Sequence, residues 1–112
     1  MTLGQTIRRA REERDLSIRE LARLVGIFAA SLCRIENDEH PPALDLIAKF
    51  AKVLDLDATE LRGLAGRLTD EEIGYLKRNP RAVKLLGAMM AARFGVEETE
   101  RLIAEVKKRK RR

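Results

Sequence analysis

Between residues 16 and 36 the apolar positions recur with the period of two short helices that meet at one glycine. Ser17 stands where a helix cap is needed. Glu20, three residues on, is placed to reach back to the Ser17 amide, so a capping box is predicted just where the apolar period begins. Leu21, Ala22 and Val25 then share one face. Gly26 follows as the residue able to leave a helix in the left-handed conformation, Ile27 is predicted to fill the angle, and Leu32 with Ile35 gives the second helix an inward stripe. Held in this way, the second helix has its other face free to enter a groove.

The later pattern is different. Thr69 and Glu72 form a second capping-box signature ahead of Ile73 and Leu76, and Asn79-Pro80 ends that short helix, with Asn79 as cap of the next. A helix over residues 81–94 is predicted to carry Val83, Leu86, Met90 and Phe94 on one face and Ala82, Leu85 and Met89 on the adjoining one. That arc is wider than the roughly 100° stripe of an ordinary surface helix, so cover from more than one side is expected. A last helix over about residues 96–110 has Leu102, Ile103 and Val106 as its stripe.

The spacing over residues 16–36 is that of a helix-turn-helix, and the chain here resembles the Cro and lambda-repressor-like, or Xre-type, family of DNA-binding domains, over about residues 3–64. The resemblance is carried by residues 3–15 as the first helix, the Leu16-Ser17 entry, Glu20-Leu21-Ala22 and Ile35-Glu36. It continues through residues 42–54, similar to the family's fourth helix, and Asp57 to Leu61, similar to the capped start of its fifth. It implies an all-α fold with a five-helix domain over residues 1–66; beyond it, the pattern of the residues themselves gives a three-helix extension over 67–106, which either folds back on the core or, as favoured here, dimerises, and a basic disordered tail over 107–112. It also implies that Arg11 and Glu36 form a structural ion pair, and that the chain is a sequence-specific transcriptional regulator binding double-stranded DNA as a homodimer. Ser17, Arg19, Arg23, Ala29, Ala30, Ser31, Arg34 and Asn37 are then the DNA-facing residues. Leu85, Leu86, Met89, Met90, Phe94, Leu102, Ile103 and Val106 are the expected dimer interface, because symmetric dimers read paired half-sites.

Composition narrows the picture further. With 112 residues, 45% hydrophobic but only 4% aromatic, the core must be built from Leu, Ile, Val and Ala. No apolar run approaches the roughly 18 residues of a membrane span and no signal-peptide core is present, so a cytoplasmic protein without membrane contact is expected. A single cysteine and a single histidine point away from a disulfide or a metal site, no cofactor is implied, and no nucleophile stands in a catalytic motif, so no enzyme is read.

Charge alters the reading of the interface. The formal net charge is +5, but residues 107–112 supply six of the 23 cations, leaving 17 against 18 acidic groups elsewhere. Phosphate attraction in the helix-turn-helix region must come from placement, with Arg8, Arg9, Arg19, Arg23 and Arg34 as candidates, helped by the amides at the start of the second helix near Ser17. Phe28, Ala29 and Ala30 replace the polar residues that usually open the second helix, so Arg34 is the one long side chain there suited to a bidentate guanine contact. Asp38 and Glu39 are expected to repel the passing backbone. Phe28 is expected to pack as core, Cys33 to face outward as an ordinary thiol, and His40 to be a solvated turn residue. A second function class stays open: a helix-turn-helix scaffold that binds a protein partner through Phe28, Ala29 and Ala30, with weak nucleic-acid binding through its basic tail.

Overall fold

The computed structural model describes residues 1–110. Among them the regular structure is helical throughout: α1 Leu3–Glu13, α2 Ile18–Val25, α3 Ala29–Glu36, α4 Leu44–Leu54, α5 Ala58–Ala65, α6 Asp70–Arg78, α7 Arg81–Ala91 and α8 Val96–Lys110. Two compact units divide the chain, the first spanning Met1–Thr69 and the second beginning at Asp70.

Local chemistry sets the helix ends in the first unit. Thr2 with Gln5 and Ser17 with Glu20 make complete capping boxes, and the Asp57 carboxylate accepts from the amides of Thr59 and Glu60. The C-terminal ends share one device, a residue in the left-handed region followed by an amide that reaches back over the last turn. Gly26 (φ 77°) and Gly66 (φ 67°) fill the position in two helices, whereas Asp15, Asp38 and Asp55 fill it in three others. Asp tolerates this backbone better than most side chains. The amides of Leu16, Ile27, Glu39, Leu56 and Arg67 close these turns on the carbonyls of Arg11, Ala22, Arg34, Ala51 and Arg62.

Burying the inward faces of these five helices makes one core. Ile7 of α1, Leu21 of α2, Leu32 of α3, Ile47 and Leu54 of α4 and Leu61 of α5 are all buried, and Phe50 of α4 is the aromatic at its centre. Gly4 sets the distance between α1 and the end of α3. A methyl group on Gly4 would collide with the backbone carbonyls of Ile35 and Glu36 and lie 2.8 Å from Asp38 Oδ1, so only a glycine allows this approach.

The second unit has a different character, since no residue of α6, α7 or α8 is buried. α7 stops at Ala91 rather than at the expected Phe94, because Arg93 turns left-handed (φ 55°) and the Phe94 amide closes on the Met89 carbonyl at 3.0 Å. Asn79 does not serve as the cap. Pro80 takes that place, and the Asn79 side chain donates to the Tyr75 hydroxyl at 3.0 Å. The tail expected to be disordered from Lys107 is helical to Lys110, where four cations complete the last turn of α8 and suit the negative end of its dipole. Arg111 and Arg112, the remainder of that expected tail, lie outside the described residues.

Candidate nucleic-acid interface

The bend between α2 and α3 is built by Gly26, whose backbone (φ 77°, ψ 36°) turns the chain out of α2 while the Ile27 amide donates to the Ala22 carbonyl at 2.9 Å. Ile27, half-buried, packs on the core beneath the turn. Leu32 and Ile35 then pin the inner face of α3, and its outer face, with Ala30 and Arg34, stands in solvent. Ser31 is half-buried. Ala29, expected to face DNA, instead packs partly on the core, since its position one turn before Leu32 and Cys33 lies at the inner edge of α3. Cys33, expected to face outward, is likewise half-buried.

The C-terminal end of α3 is tied to α1 by a buried carboxylate. Glu36, whose side chain is only 1% exposed, accepts from Arg11 Nε at 2.7 Å, from Arg11 Nη2 at 3.1 Å and from Arg8 Nε at 3.2 Å. Arg11 Nη1 also donates to the Leu16 carbonyl at 2.9 Å, so one guanidinium joins α1, the α1–α2 turn and α3. The hydrogen bond to Glu36 holds the Arg11 guanidinium above its ordinary value and more than offsets its desolvation. Burial of this carboxylate is offset by guanidinium donors to both of its oxygens.

This network engages several residues that the sequence offered to DNA. Arg8 is drawn to Glu36 and, through Nη2, to Asn37 Oδ1 at 2.7 Å, so Asn37 already serves a protein contact. Arg9 pairs with Glu13 one turn away at 3.0 Å. At the start of α2 the Glu20 carboxylate accepts the Ser17 amide at 2.9 Å, and Ser17 Oγ accepts the Glu20 amide at 3.1 Å. The site expected to attract a phosphate thus already holds a carboxylate, which the Ser17 amide keeps below its usual titration range. Arg19 and Arg34 are exposed and form no ion pair among the described residues, while exposed Arg23 lies in the field of the Glu20 carboxylate.

One expectation in this region is overturned and one gains a structural role. Asp38, expected only as a charge facing the backbone, turns back to α1, where Oδ2 accepts from Thr2 Oγ1 at 2.6 Å and Oδ1 from the Gly4 amide at 2.9 Å, and it stays exposed and anionic there. The Thr2 hydroxyl, and next the Gly4 amide, hold its carboxyl below the ordinary range. Sequence reading missed this link because its partners lie more than 30 positions away. Phe28, expected as core, is 84% exposed at the N-cap of α3 and makes no capping bond. With Gly26, Ile27 and Ser31 it lines an open recess of about 450 Å³.

In the second unit, the expected interface residues Leu85, Leu86, Met90 and Phe94 of α7 and the α7–α8 turn, and Ile103 and Val106 of α8, are exposed, with Met89 and Leu102 half-buried. Glu39 and His40 lie in solvent between α3 and α4. No group of side chains among the described residues is arranged to hold a metal ion, and no helix there is long and apolar enough to cross a membrane.

Comparison with known proteins agrees with this geometry. Residues 2–64 match a family of helix-turn-helix domains. An immunity repressor protein of Bacillus phage phi105 is 29% identical over 75 residues, which is 67% of this chain but only 52% of that protein, so the chain spans about half the length of that relative. Among solved structures, a chain of a SinR protein/SinI protein complex superimposes with a TM-score of 0.52 at 25% identity, over 99% of this chain and 100% of that one. A hypothetical protein from E. coli gives a TM-score of 0.53 at 23% identity, over 88% and 95% of the two chains, which shows the shared fold. The chain belongs to the Xre-type helix-turn-helix family.

Proposed function

We propose that this Xre-type helix-turn-helix protein is a cytoplasmic transcriptional regulator that binds double-stranded DNA as a homodimer and lays α3 in the major groove. The observation that carries the reading is the two-sided character of α3. Its inner face is locked by Leu32, Ile35 and the buried Glu36, and its outer face presents Ala30 and Arg34 to solvent directly after the Gly26 bend. Arg34 reads a guanine edge, Ser31 and Ala30 flank it, and Arg19 and Arg23 on α2 contact phosphates. Ser17 and Asn37 contribute by fixing α2 and Arg8 rather than by reaching bases.

Pairing two copies through α7 and α8 accounts for the apolar side chains these helices leave in water, since a patch of this kind on a small protein marks an interface. A dimer also matches the symmetry of paired half-sites. The basic end of α8 adds phosphate contacts that are indifferent to sequence.

Selection from random duplex with the purified chain tests the reading. A preferred sequence is expected, and Arg34→Ala should flatten preference at one guanine while leaving the salt slope, which counts phosphate contacts, nearly unchanged. Removing residues 107–112 should lower affinity for every duplex and flatten the salt slope by about 0.9 per phosphate lost. Recovery of no sequence would favour the second reading, a protein-binding scaffold, for which the exposed Phe28 is the specific observation. The SinR/SinI complex shows a structural relative assembled with a protein.

A further inference from the structure

We propose that Phe28 determines sequence specificity by packing against thymine C5 methyl groups in the major groove, so that this protein reads thymine through an apolar contact. The inference rests on the duplex-reading role proposed for α3 and names the base chemistry which that surface takes.

Phe28 is the most exposed large apolar side chain among the described residues, at 84%. It occupies the N-cap of α3 in extended backbone (φ −75°, ψ 148°) and accepts no hydrogen bond there, whereas Thr2, Ser17 and Asp57 each cap their helices in the same unit. A phenylalanine at that place forgoes the bond that Ser, Thr, Asp or Asn would supply, and leaves a ring in water. A position that breaks two local rules at once is where a binding role is expected.

Its neighbours make the ring usable. Gly26, Ile27 and Ser31 complete the open recess beside it, and the exposure of the ring leaves its approach free. A recognition helix presents its N-terminal residues to base edges, and the two residues after Phe28 are Ala29 and Ala30, which neither donate nor accept. The apolar group that a base pair offers in the major groove is the thymine methyl, and a phenylalanine is a fitting contact for it.

Charge decides between a duplex and an apolar protein segment. Arg34 on α3 and Arg19 on α2 are exposed and form no ion pair among the described residues. A polyanion that carries methyl groups satisfies both the guanidiniums and the ring, while an apolar segment satisfies the ring alone.

The experiment measures affinity of the full chain, by fluorescence anisotropy, for the duplex recovered by selection, with each thymine in turn replaced by deoxyuridine. That change deletes the methyl and leaves the hydrogen-bonding edge intact. One or two positions are expected to lose about fourfold in affinity, equivalent to one buried methylene. Phe28→Ala should bind the thymine and uracil duplexes equally, Phe28→Leu should keep part of the difference, and Arg34→Ala should keep all of it. Thermal unfolding of Phe28→Ala should match the unsubstituted chain, so a lost methyl effect is not lost folding. The inference is overturned if the chain is indifferent to uracil at every thymine, or if Phe28→Ala retains the difference. Equal duplex affinity of Phe28→Ala and the unsubstituted chain also overturns it and assigns the ring to a protein partner. A selection that recovers no sequence defeats the duplex-reading role itself, whereas a recovered sequence without a methyl effect defeats this inference alone.

Discussion

The two units use the same helical vocabulary to opposite ends. Five helices in the first close on thirteen buried apolar residues and one buried carboxylate, whereas α6, α7 and α8 bury none. Apolar content does not explain the contrast, because α7 carries Val83, Leu85, Leu86, Met89 and Met90 within 11 residues. What differs is the number of directions from which each stripe is covered. α4 is met by α1, α2 and α5, while α7 has a comparable neighbour in α6. An apolar helix is therefore no evidence of a core until its neighbours are known, and the exposed arc of α7 is the surface that the proposed dimer would cover.

The largest expected effect tests whether the first unit stands on its buried ion pair as well as on its core. Glu36→Ala leaves the Arg11 guanidinium, 11% exposed, without its counter-charge and is expected to destabilise this unit by about 3–5 kcal/mol, read by chemical denaturation. Arg8→Ala is expected to shift the same transition by no more than about 1 kcal/mol, since Arg8 is 45% exposed and the pair it forms is screened. Equal effects of the two would mean that burial is not what separates them.

Next in size is the test of the second unit. Leu86→Asp with Met90→Asp places two carboxylates on the exposed stripe of α7 and is expected to weaken self-association by about 3 kcal/mol, roughly a hundredfold in dissociation constant by sedimentation equilibrium. The unfolding transition of the first unit should not move. An unsubstituted chain that remains monomeric at every concentration would remove the dimer from the proposal and leave the stripe to another partner.

Smaller still is the cap that Asp38 provides. Asp38→Ala removes the acceptor for Thr2 Oγ1 and for the Gly4 amide and is expected to destabilise the first unit by about 1–2 kcal/mol. Because folding lowers the Asp38 carboxyl, its contribution is fully present above the unfolded value of about 4 and is lost as the pH falls through the lower folded value. The substituted chain should therefore lose less stability between about pH 5 and pH 2 than the unsubstituted one. Glu20, lowered in the same direction at the start of α2, should leave some acid dependence in both.

Local pattern foretold much of the first unit. The Ser17–Glu20 box, the Gly26 bend and the inward Leu32 and Ile35 were legible because each depends on residues within one or two turns. At the candidate interface the same reading was weaker. A lone apolar residue needs no special cause and reads as core, but Phe28, at the N-cap of α3, stands in solvent. The bonds from Asp38 to α1 were not legible because its partner amide belongs to a helix 34 residues earlier.

Periodicity, caps and glycine placement alone determined that this protein is all-helical and that a bend at Gly26 sets α3 against α2, since these choices are settled by backbone conformation and side-chain spacing within a single turn. Which charges are free and which are engaged was decided only by tertiary structure. Arg8 and Arg34 look alike in the sequence, yet the packing of α1 on the end of α3 ties Arg8 to Glu36 and Asn37 and leaves Arg34 in solvent. The physical reason is reach: a hydrogen bond acts over about 3 Å, so its partner is fixed by where the fold brings the chain back.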